Sequence, residues 1–262
     1  MAEAFYFLFL TFELLTVKIA LVQARPVKGD IMANIADHKR MISLALEYGA
    51  ELILFPELSI TGYEPELAKE LAIDYNDPLL NDFQSLSDQN NCVIAVGMPT
   101  RHTSGLCISL VFFQPGQPRQ LYSKKFLHAD EQPFFISGTQ FPVMDINGQN
   151  ISPAICYELS VAEHAAAAYE SGGKIYLVSV AKTVAGMDKA IERLTTVSRE
   201  YSMMVVLANC VGHCDNFDCG GRSSAWNNKG KLIGQLDEVE EGILLVDTSL
   251  EKTLTLHYQR TC

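Results

Sequence analysis

The stretches VKIALVQ, residues Val17–Gln23, and LILF, residues Leu52–Phe55, are apolar runs of strand length on either side of a predicted helix. Asp30 provides the N-cap of that helix, and Gly49 ends it because glycine readily adopts the left-handed conformation found after helices. The apolar positions of the segment keep to one helical face: Ile31, Ile35, Ile42 and Leu46. Since the second strand is too apolar for a surface position, the chain is predicted to open β-α-β on a buried sheet.

The rest of the chain alternates strands and helices in the same way, with antiparallel hairpins added. The predicted helices are Asp77–Asn91, Glu158–Glu170 and roughly Met187–Ser202. The predicted strands are Cys92–Met98, Leu106–Phe113, Gln120–Ser123, Ile151–Cys156, Lys174–Ala181, Met203–Val211 and, as the last strand, Gly242–Val246. Hairpins are predicted around the turn QPGQPR and around Asn227–Gly230. Two packed sheets flanked by helices accommodate this order, so the predicted fold class is α/β.

Composition indicates one compact domain, predicted over residues 17–262, with residues 1–16 as an N-terminal extension. With 262 residues, of which 48% are hydrophobic and 19% charged, the chain can bury a large core. The formal charge of −11 repels phosphate backbones, so we expect no nucleic-acid partner. We interpret the extension as a segment that packs on the body, pairs with another subunit or comes from a misplaced start.

The N-terminal segment and the cysteines indicate a cytoplasmic protein without a membrane span. The longest apolar run near either end, Ala4–Phe12, is far shorter than the ~20 residues needed to cross a bilayer. Glu3 and Glu13 flank this run, where a secretory signal would carry positive charge and a small-residue cleavage site. The seven cysteines are an odd number scattered through a long chain, which indicates reduced thiols.

Three polar side chains come at the ends of three predicted strands. Glu57 comes directly after LILFP, Lys124 follows QLYS, and Cys156 ends ISPAIC. Singly, each has an ordinary structural reading: a helix cap or surface ion pair, a solvated charge, and a small core hydrophobe. Together they supply a base, a cation and a nucleophile at the carboxyl ends of strands, where the ligand sites of α/β sheets gather.

These residues lie in three blocks that resemble the nitrilase superfamily, the carbon-nitrogen hydrolases with a Glu-Lys-Cys triad. The blocks are FPELSITGY at Phe55–Tyr63, YSKKFL at Tyr122–Leu127 and ICYELSVAE at Ile155–Glu163. The resemblance covers nearly the whole chain, from residue 17 to about residue 248. It implies a four-layer αββα sandwich of the nitrilase type that associates into a homodimer or a larger homo-oligomer.

The resemblance assigns the base to Glu57, the catalytic lysine to Lys124 and the nucleophile to Cys156. It also implies a second glutamate shortly after the lysine, for which Glu131 is the nearest candidate. Many relatives continue the nucleophile block as Cys-Tyr-Asp-x-Arg-Phe-Pro-Glu, whereas this chain keeps only the closing Glu163 after its Cys-Tyr pair. The substrate class of the best-known branches is therefore not carried over.

The expected reaction is the hydrolysis of a small amide or N-carbamoyl compound through a cysteine thioester. Cys156 attacks the carbon, and Glu57 moves the proton. Lys124 and the backbone N–H of Tyr157 hold the oxyanion, and neither a metal nor an organic cofactor is required. Candidates for the substrate pocket, each with ordinary loop chemistry as its other reading, are Glu64, Ser179, Val180 and Ala181.

Several alternatives stay open on the sequence. The same triad would hydrolyse a nitrile or transfer the acyl group to an amine, and a catalytically idle family member would act as a binding or assembly subunit. The segment NCVGHCDNFDC would hold a structural zinc, carry a redox disulfide or form a loop near the active-site mouth. Its potential ligands are Cys210, His213, Cys214 and Cys219.

Overall fold

The computed structural model describes residues 17–139, 143–146 and 148–260, so the predicted extension over residues 1–16 lies outside the described residues. The strands are β1 (Lys18–Gln23), β2 (Leu52–Leu54), β3 (Val93–His102), β4 (Gly105–Phe113), β5 (Gln120–Ser123), β6 (Met144–Ile146), β7 (Gln149–Ile155), β8 (Ile175–Ser179), β9 (Met204–Ala208), β10 (Val211–Cys214), β11 (Phe217–Gly220), β12 (Ser224–Trp226), β13 (Leu232–Gln235), β14 (Gly242–Asp247) and β15 (Lys252–His257). The α-helices are α1 (Ile31–Glu47), α2 (Ala68–Leu71), α3 (Asn81–Asn90), α4 (Ala162–Glu170) and α5 (Val184–Tyr201). Short 3-10 helices cover Pro65–Leu67, Pro78–Leu80 and Cys156–Ser160.

The strands form two large sheets and a separate hairpin. The first sheet has the order β15-β14-β1-β2-β3-β4-β5, the second has the order β13-β12-β9-β8-β7-β6, and β10 pairs with β11. Strands β1, β2 and β3 run parallel, as do β7, β8 and β9. Parallel strands are buried on both faces, which explains why β2 and β9 are continuously apolar instead of alternating. The predicted hairpins of β4 with β5 and of β12 with β13 are confirmed.

Three buried clusters hold the layers together. The central cluster lies between the two sheets and joins residues such as Leu54 of β2 and Leu177 of β8. A second cluster packs α1 and α3 on the outer face of the first sheet. A third packs α4 and α5 on the outer face of the second sheet. The layer order is therefore α-β-β-α, and the predicted four-layer sandwich is confirmed.

Some predicted elements have different bounds. Strand β7 ends at Ile155, and a 3-10 helix separates it from α4, because Cys156 has a left-handed φ of 45° that neither a strand nor an α-helix continues through. The prediction that Gly242–Val246 is the last strand is wrong. The edge strand β15 follows, and its KTLTLH sequence has too few apolar residues to be recognised without its partner. The β10–β11 hairpin was also missed, because its sequence reads equally well as a loop.

The topology brings the carboxyl ends of β2, β7 and β8 to one edge of the sandwich. Ile155, at the end of β7, is in register with Ser179 at the end of β8. Across the sheets, the Ser179 hydroxyl donates to the Phe55 carbonyl oxygen at 2.9 Å, directly after β2. This edge is where the sequence predicts chemistry. Among the described residues, no helix is both long and apolar enough to cross a membrane.

Candidate active site

Glu57 lies on a tight loop that follows β2 and packs against β3. Leu58 in this loop has a left-handed φ of 53°. The loop lies so close to Gly97 of β3 that a Cβ at that position would come within 2.3 Å of the Pro56 carbonyl oxygen. Glycine is therefore required at residue 97 for the loop to rest on the strand. The loop carries Glu57 into the space between the sheets, where it is 1% exposed.

Lys124 follows β5 and is completely buried. Its Nζ donates to Glu57 Oε1 at 2.8 Å and to Glu131 Oε1 at 2.6 Å. Glu131 Oε1 also accepts from the Tyr63 hydroxyl at 3.0 Å, and its Oε2 accepts from the backbone N–H of His128 at 2.8 Å. The structure thus places one ammonium between two carboxylates, and it brings Glu131 to the lysine.

Cys156 is the first residue of the 3-10 helix after β7, and its half-buried side chain packs against the central cluster. The carboxylate of Glu57 lies next to the thiol, and its charge raises the thiol pKa. The carbonyl oxygen of Ala181 lies 4.0 Å from Sγ. The thiol of Cys156 therefore lies beside the carboxylate of Glu57, which in turn contacts the ammonium of Lys124.

Burial and neighbouring charges decide the protonation of Cys156, Glu57 and Lys124. Burial raises the pKa of the Cys156 thiol to about 11, and the Glu57 charge acts in the same direction. Burial also raises the pKa of Glu57 above its ordinary value, against the lowering effect of Lys124. For Lys124, burial alone would lower the pKa, but the Glu57 charge and its other anionic neighbours raise it. A protonated thiol therefore lies beside a carboxylate able to take its proton and an ammonium that stays charged.

A further buried carboxylate, Glu158, ties the lysine segment to the nucleophile turn. Its Oε1 accepts from the backbone N–H groups of Lys125 at 2.6 Å and Phe126 at 3.2 Å. Its Oε2 accepts from the backbone N–H of Ile155 at 2.8 Å and from the Tyr122 hydroxyl at 2.7 Å. Because these partners adjoin the candidate lysine and cysteine in the chain, Glu158 sets the distance between the two segments. The sequence carried one signal for it, an acidic residue in the first turn after the predicted nucleophile.

Replacing Glu158 by glutamine is expected to lower the free energy of unfolding by about 1–3 kcal/mol for each buried donor left without an acceptor. The glutamine amide has one oxygen, so its NH₂ group would face N–H or O–H donors that now contact a carboxylate. Urea denaturation measures the change. Glu170→Gln, at the exposed end of α4, is the matched control. Equal stability of the two variants would contradict the role given to Glu158.

A comparison with known proteins identifies the family of this chain. The family model "Carbon-nitrogen hydrolase" matches residues 18–258. The chain belongs to this family. It is a carbon-nitrogen hydrolase of the nitrilase superfamily, which confirms the resemblance found in the three sequence blocks.

Relatives of this carbon-nitrogen hydrolase are distant in sequence. It is 25% identical over 237 residues to the "Hydrolase in pqqF 5′ region" of Pseudomonas protegens, covering 88% of this chain and 82% of that protein. It is 25% identical over 248 residues to the glutamine-dependent NAD(+) synthetase of Aquifex aeolicus, covering 88% of this chain but only 42% of the synthetase. A cysteine-to-alanine mutant of the amidase from Nesterenkonia sp. AN1, in complex with butyramide, has the same fold. Its TM-score is 0.81 at 23% identity, covering 88% of this chain and 90% of that chain.

The predicted pocket residues of the hydrolase lie at different distances from the candidate catalytic set, which is Glu57, Lys124 and Cys156. Ala181 touches two of its members, because its N–H donates to Glu57 Oε2 at 3.2 Å and its carbonyl oxygen faces Cys156. Ser179 is engaged in the bond to Phe55 that joins the two sheets. Ala181 is therefore the pocket candidate that the structure brings to the reacting groups.

The other three predicted site residues, Val180, Glu64 and Tyr157, have different neighbours in the structure. Val180 packs in the outer cluster between the second sheet and its helices. Glu64 pairs with Lys28 at 2.7 Å and accepts from the backbone N–H of Asp215 at 3.1 Å, so it anchors the turn of the β10–β11 hairpin. Tyr157 lies in the first turn of a helix, where backbone N–H groups have no intrahelical acceptor.

Lys182 is a neighbour of the candidate nucleophile Cys156, and the sequence assigned it no role of its own. Its backbone is held by Asn209, which accepts from the Lys182 N–H at 2.9 Å and donates to its carbonyl oxygen at 3.1 Å. The Lys182 ammonium lowers the pKa of the Cys156 thiol, as Lys124 does. It therefore stabilises the thiolate from the side of β8.

Lys182→Met is expected to slow alkylation of Cys156 by iodoacetamide. Without this cation the pKa of the thiol rises further above about 11, so less thiolate is present at every pH below that value. Rates measured by mass spectrometry between pH 7 and pH 10 should shift to higher pH relative to the unmodified hydrolase. Lys189→Met, which removes an exposed lysine of α5, is the control. An unchanged pH profile in Lys182→Met would refute the electrostatic role.

The segment considered for zinc forms the β10–β11 hairpin instead. His213 lies on an exposed face and contacts Asp218 at 3.0 Å, while the three cysteines of the segment are buried. Within the described ranges, no group of three or more His, Cys, Asp and Glu side chains is arranged to hold a metal ion. The four-ligand set of the zinc alternative is therefore not assembled.

Proposed function

We propose that this carbon-nitrogen hydrolase cleaves a small amide or N-carbamoyl compound through a thioester on Cys156. The observation that carries the proposal is the buried ion pair of Glu57 and Lys124 beside the Cys156 thiol, with Ala181 in contact with both Glu57 and Cys156. Glu57 takes the thiol proton as Sγ attacks the carbon and then delivers it to the leaving nitrogen. Ammonia or an amine departs, and water activated by the same carboxylate hydrolyses the thioester.

The oxyanion of each tetrahedral intermediate needs donors that are already in place. Lys124 supplies a fixed positive charge, since two carboxylates orient its ammonium and exclude water from it. The backbone N–H of Tyr157 is the second proposed donor, because it follows the nucleophile in a first helical turn. Removing one such donor commonly lowers kcat by ~10²–10³-fold. Glu131 holds the lysine and takes no proton from the substrate.

The likeness to an amidase favours an amide over a nitrile as substrate. The butyramide complex of the Nesterenkonia amidase shows that this fold accommodates a small aliphatic amide in another protein. The match to a glutamine-dependent synthetase adds glutamine to the candidate substrates, although this chain spans only 42% of that enzyme. Nitrile hydrolysis by the same residues is the second candidate.

Ammonia release from a substrate panel tests the proposal. The panel contains aliphatic amides, glutamine and other ω-amides, N-carbamoyl amino acids and nitriles, each assayed with the unmodified protein and with Cys156→Ala. We expect turnover of at least one amide or carbamoyl compound that depends on Cys156. Turnover of nitriles alone would replace the proposed substrate class. No turnover, together with iodoacetamide labelling of Cys156 no faster than of the buried Cys92, would favour the idle binding subunit.

Assembly and location stay predictions. The resemblance implies a homodimer or a larger homo-oligomer, often through the helix after the nucleophile, which here is α4. Tyr169 of α4 is a large apolar side chain and is 52% exposed. Light scattering on the purified protein should give a mass at least twice that of the 29.0 kDa chain. The predicted cytoplasmic location calls for fractionation of cells.

A further inference from the structure

Three buried thiols meet at the β10–β11 hairpin. Cys210, Cys214 and Cys219 are all less than one tenth exposed, in contrast to the exposed hairpin residues His213 and Asp218. The Sγ atoms of Cys214 and Cys219 lie 3.2 Å apart. Cys210 comes directly before β10, and the other two thiols raise its pKa. None of the three has a part in the proposed hydrolysis.

We propose that Cys214 and Cys219 form a reversible disulfide, a site of two-electron oxidation separate from the hydrolytic reaction. Both are free thiols in the structure. A disulfide bond is about 2.05 Å long, so the two sulfur atoms must approach by roughly 1.2 Å. They belong to paired strands joined by a two-residue turn, Asp215 and Asn216, so adjustment of the side chains and the turn supplies this movement.

Cys214 is the thiol that reacts first. Cys219 donates a hydrogen bond to the Cys214 sulfur at 3.2 Å. The neighbouring thiols of Cys210 and Cys219 lower the pKa of Cys214 against the effect of burial. Thiolates are the nucleophiles of thiol oxidation, whereas buried thiols without such support stay protonated. The isolated Cys92 provides the contrast, because burial raises the pKa of its thiol to about 12.

The co-reactant is a hydroperoxide, with hydrogen peroxide as the smallest member. The Cys214 thiolate attacks one peroxide oxygen, an S–O bond forms, the O–O bond breaks, and the departing hydroxide takes up a proton as water. Cys219 then attacks the sulfenic sulfur, the S–S bond forms, and the S–O bond breaks with loss of a second water. Two thiols and one peroxide thus give one disulfide and two waters.

The pair lies close to the candidate catalytic set. The Tyr63 hydroxyl donates to Glu131, which in turn holds Lys124, and the backbone N–H of Tyr63 lowers the pKa of Cys214. The ring of Phe217 on β11 packs against Tyr63 with centroids 5.7 Å apart. Oxidation therefore removes a thiolate acceptor from the residue that positions Glu131.

Peroxide treatment followed by peptide mapping tests the site. Trypsin releases residues 200–222 as one peptide that contains all three cysteines, since the flanking cleavage sites are Arg199 and Arg222. After peroxide, unfolding and alkylation, we expect this peptide to carry one alkyl group instead of three and to lack two hydrogens. Dithiothreitol given before alkylation restores three. Cleavage before Asp215 and Asp218 then separates the two half-cystines unless a disulfide joins them.

Variants identify the partners. In Cys210→Ala the disulfide should still form, with no free cysteine left in the peptide, and in Cys219→Ala it should be absent. Three alkylated cysteines after peroxide, while Cys156 is oxidised in the same sample, would overturn the proposal. So would a disulfide that persists in Cys219→Ala, because the reactive pair would then be Cys210 and Cys214. The readout is a mass and needs no substrate, so it holds whatever the outcome of the substrate panel.

Discussion

Cys156→Ala is expected to reduce ammonia release to background on every substrate that the unmodified hydrolase accepts. Loss of the nucleophile removes the thioester route entirely, and in a serine protease with a Ser-His-Asp triad the loss of the nucleophile lowers kcat by about 10⁶-fold. The fold should persist, because alanine keeps the Cβ that the left-handed backbone at φ 45° already accommodates. Ammonia assays measure the first expectation, and circular dichroism with thermal unfolding measures the second.

Cys92→Ala is the matched control for this variant. Cys92 is also a free thiol, but it precedes β3, so it lies at the end of the parallel strands opposite to Glu57. We expect it to retain the activity of the unmodified hydrolase. Turnover by Cys156→Ala above one hundredth of that level would sink the assignment of the nucleophile. Loss of folding in Cys156→Ala would move the test to Cys156→Ser, which keeps a side chain of similar size.

The positions of Glu57 and Cys156 could be predicted because each lies at the end of an apolar run typical of a buried strand, and Lys124 because it follows the hairpin strand QLYS. Carboxyl ends of parallel strands meet at one edge, so three local patterns already predict one site. The three blocks of the family resemblance then assigned a role to each. The structure brings the three residues together, and the expected sandwich holds them between its sheets.

The rest of the site depends on contacts that no local pattern carries. Glu158 has four hydrogen-bond donors, and three of them lie about 30 residues or more before it in the chain. Ala181 contributes backbone atoms, which any residue type would supply. The contact between Cys214 and Cys219 depends on the register between β10 and β11. The segment NCVGHCDNFDC does not reveal this register until the hairpin is known. For Glu158 and Ala181 the missing information was a long-range contact, and for the thiol pair it was the register of a local hairpin.

Lys124→Met is expected to destabilise the protein and to reduce kcat by ~10²–10³-fold or more. Methionine has a similar length but leaves Glu57 and Glu131 facing each other without the cation between them. Breaking a buried ion pair by removing one partner typically costs about 3–5 kcal/mol. The pKa of Glu57 should rise further, since burial and the Glu131 charge both raise it. A carboxyl whose pKa is raised by folding destabilises the ionised protein, so the deficit should grow as pH rises above about 4.3.

Lys125→Met and the double variant Lys124→Met/Glu131→Gln separate the possible causes. Lys125 is the exposed neighbour in the chain, so its replacement should leave stability and kcat nearly unchanged. The double variant removes one of the two facing charges and should regain part of the stability at pH 7, measured by urea denaturation, without regaining activity. A Lys124→Met protein whose stability does not depend on pH would contradict the role in neutralising the carboxylates. One whose kcat stays within tenfold of the original would contradict the role in holding the oxyanion. Recovery of stability without activity would show that one ammonium serves two purposes: it neutralises buried carboxylates in the resting protein and holds the oxyanion during the reaction.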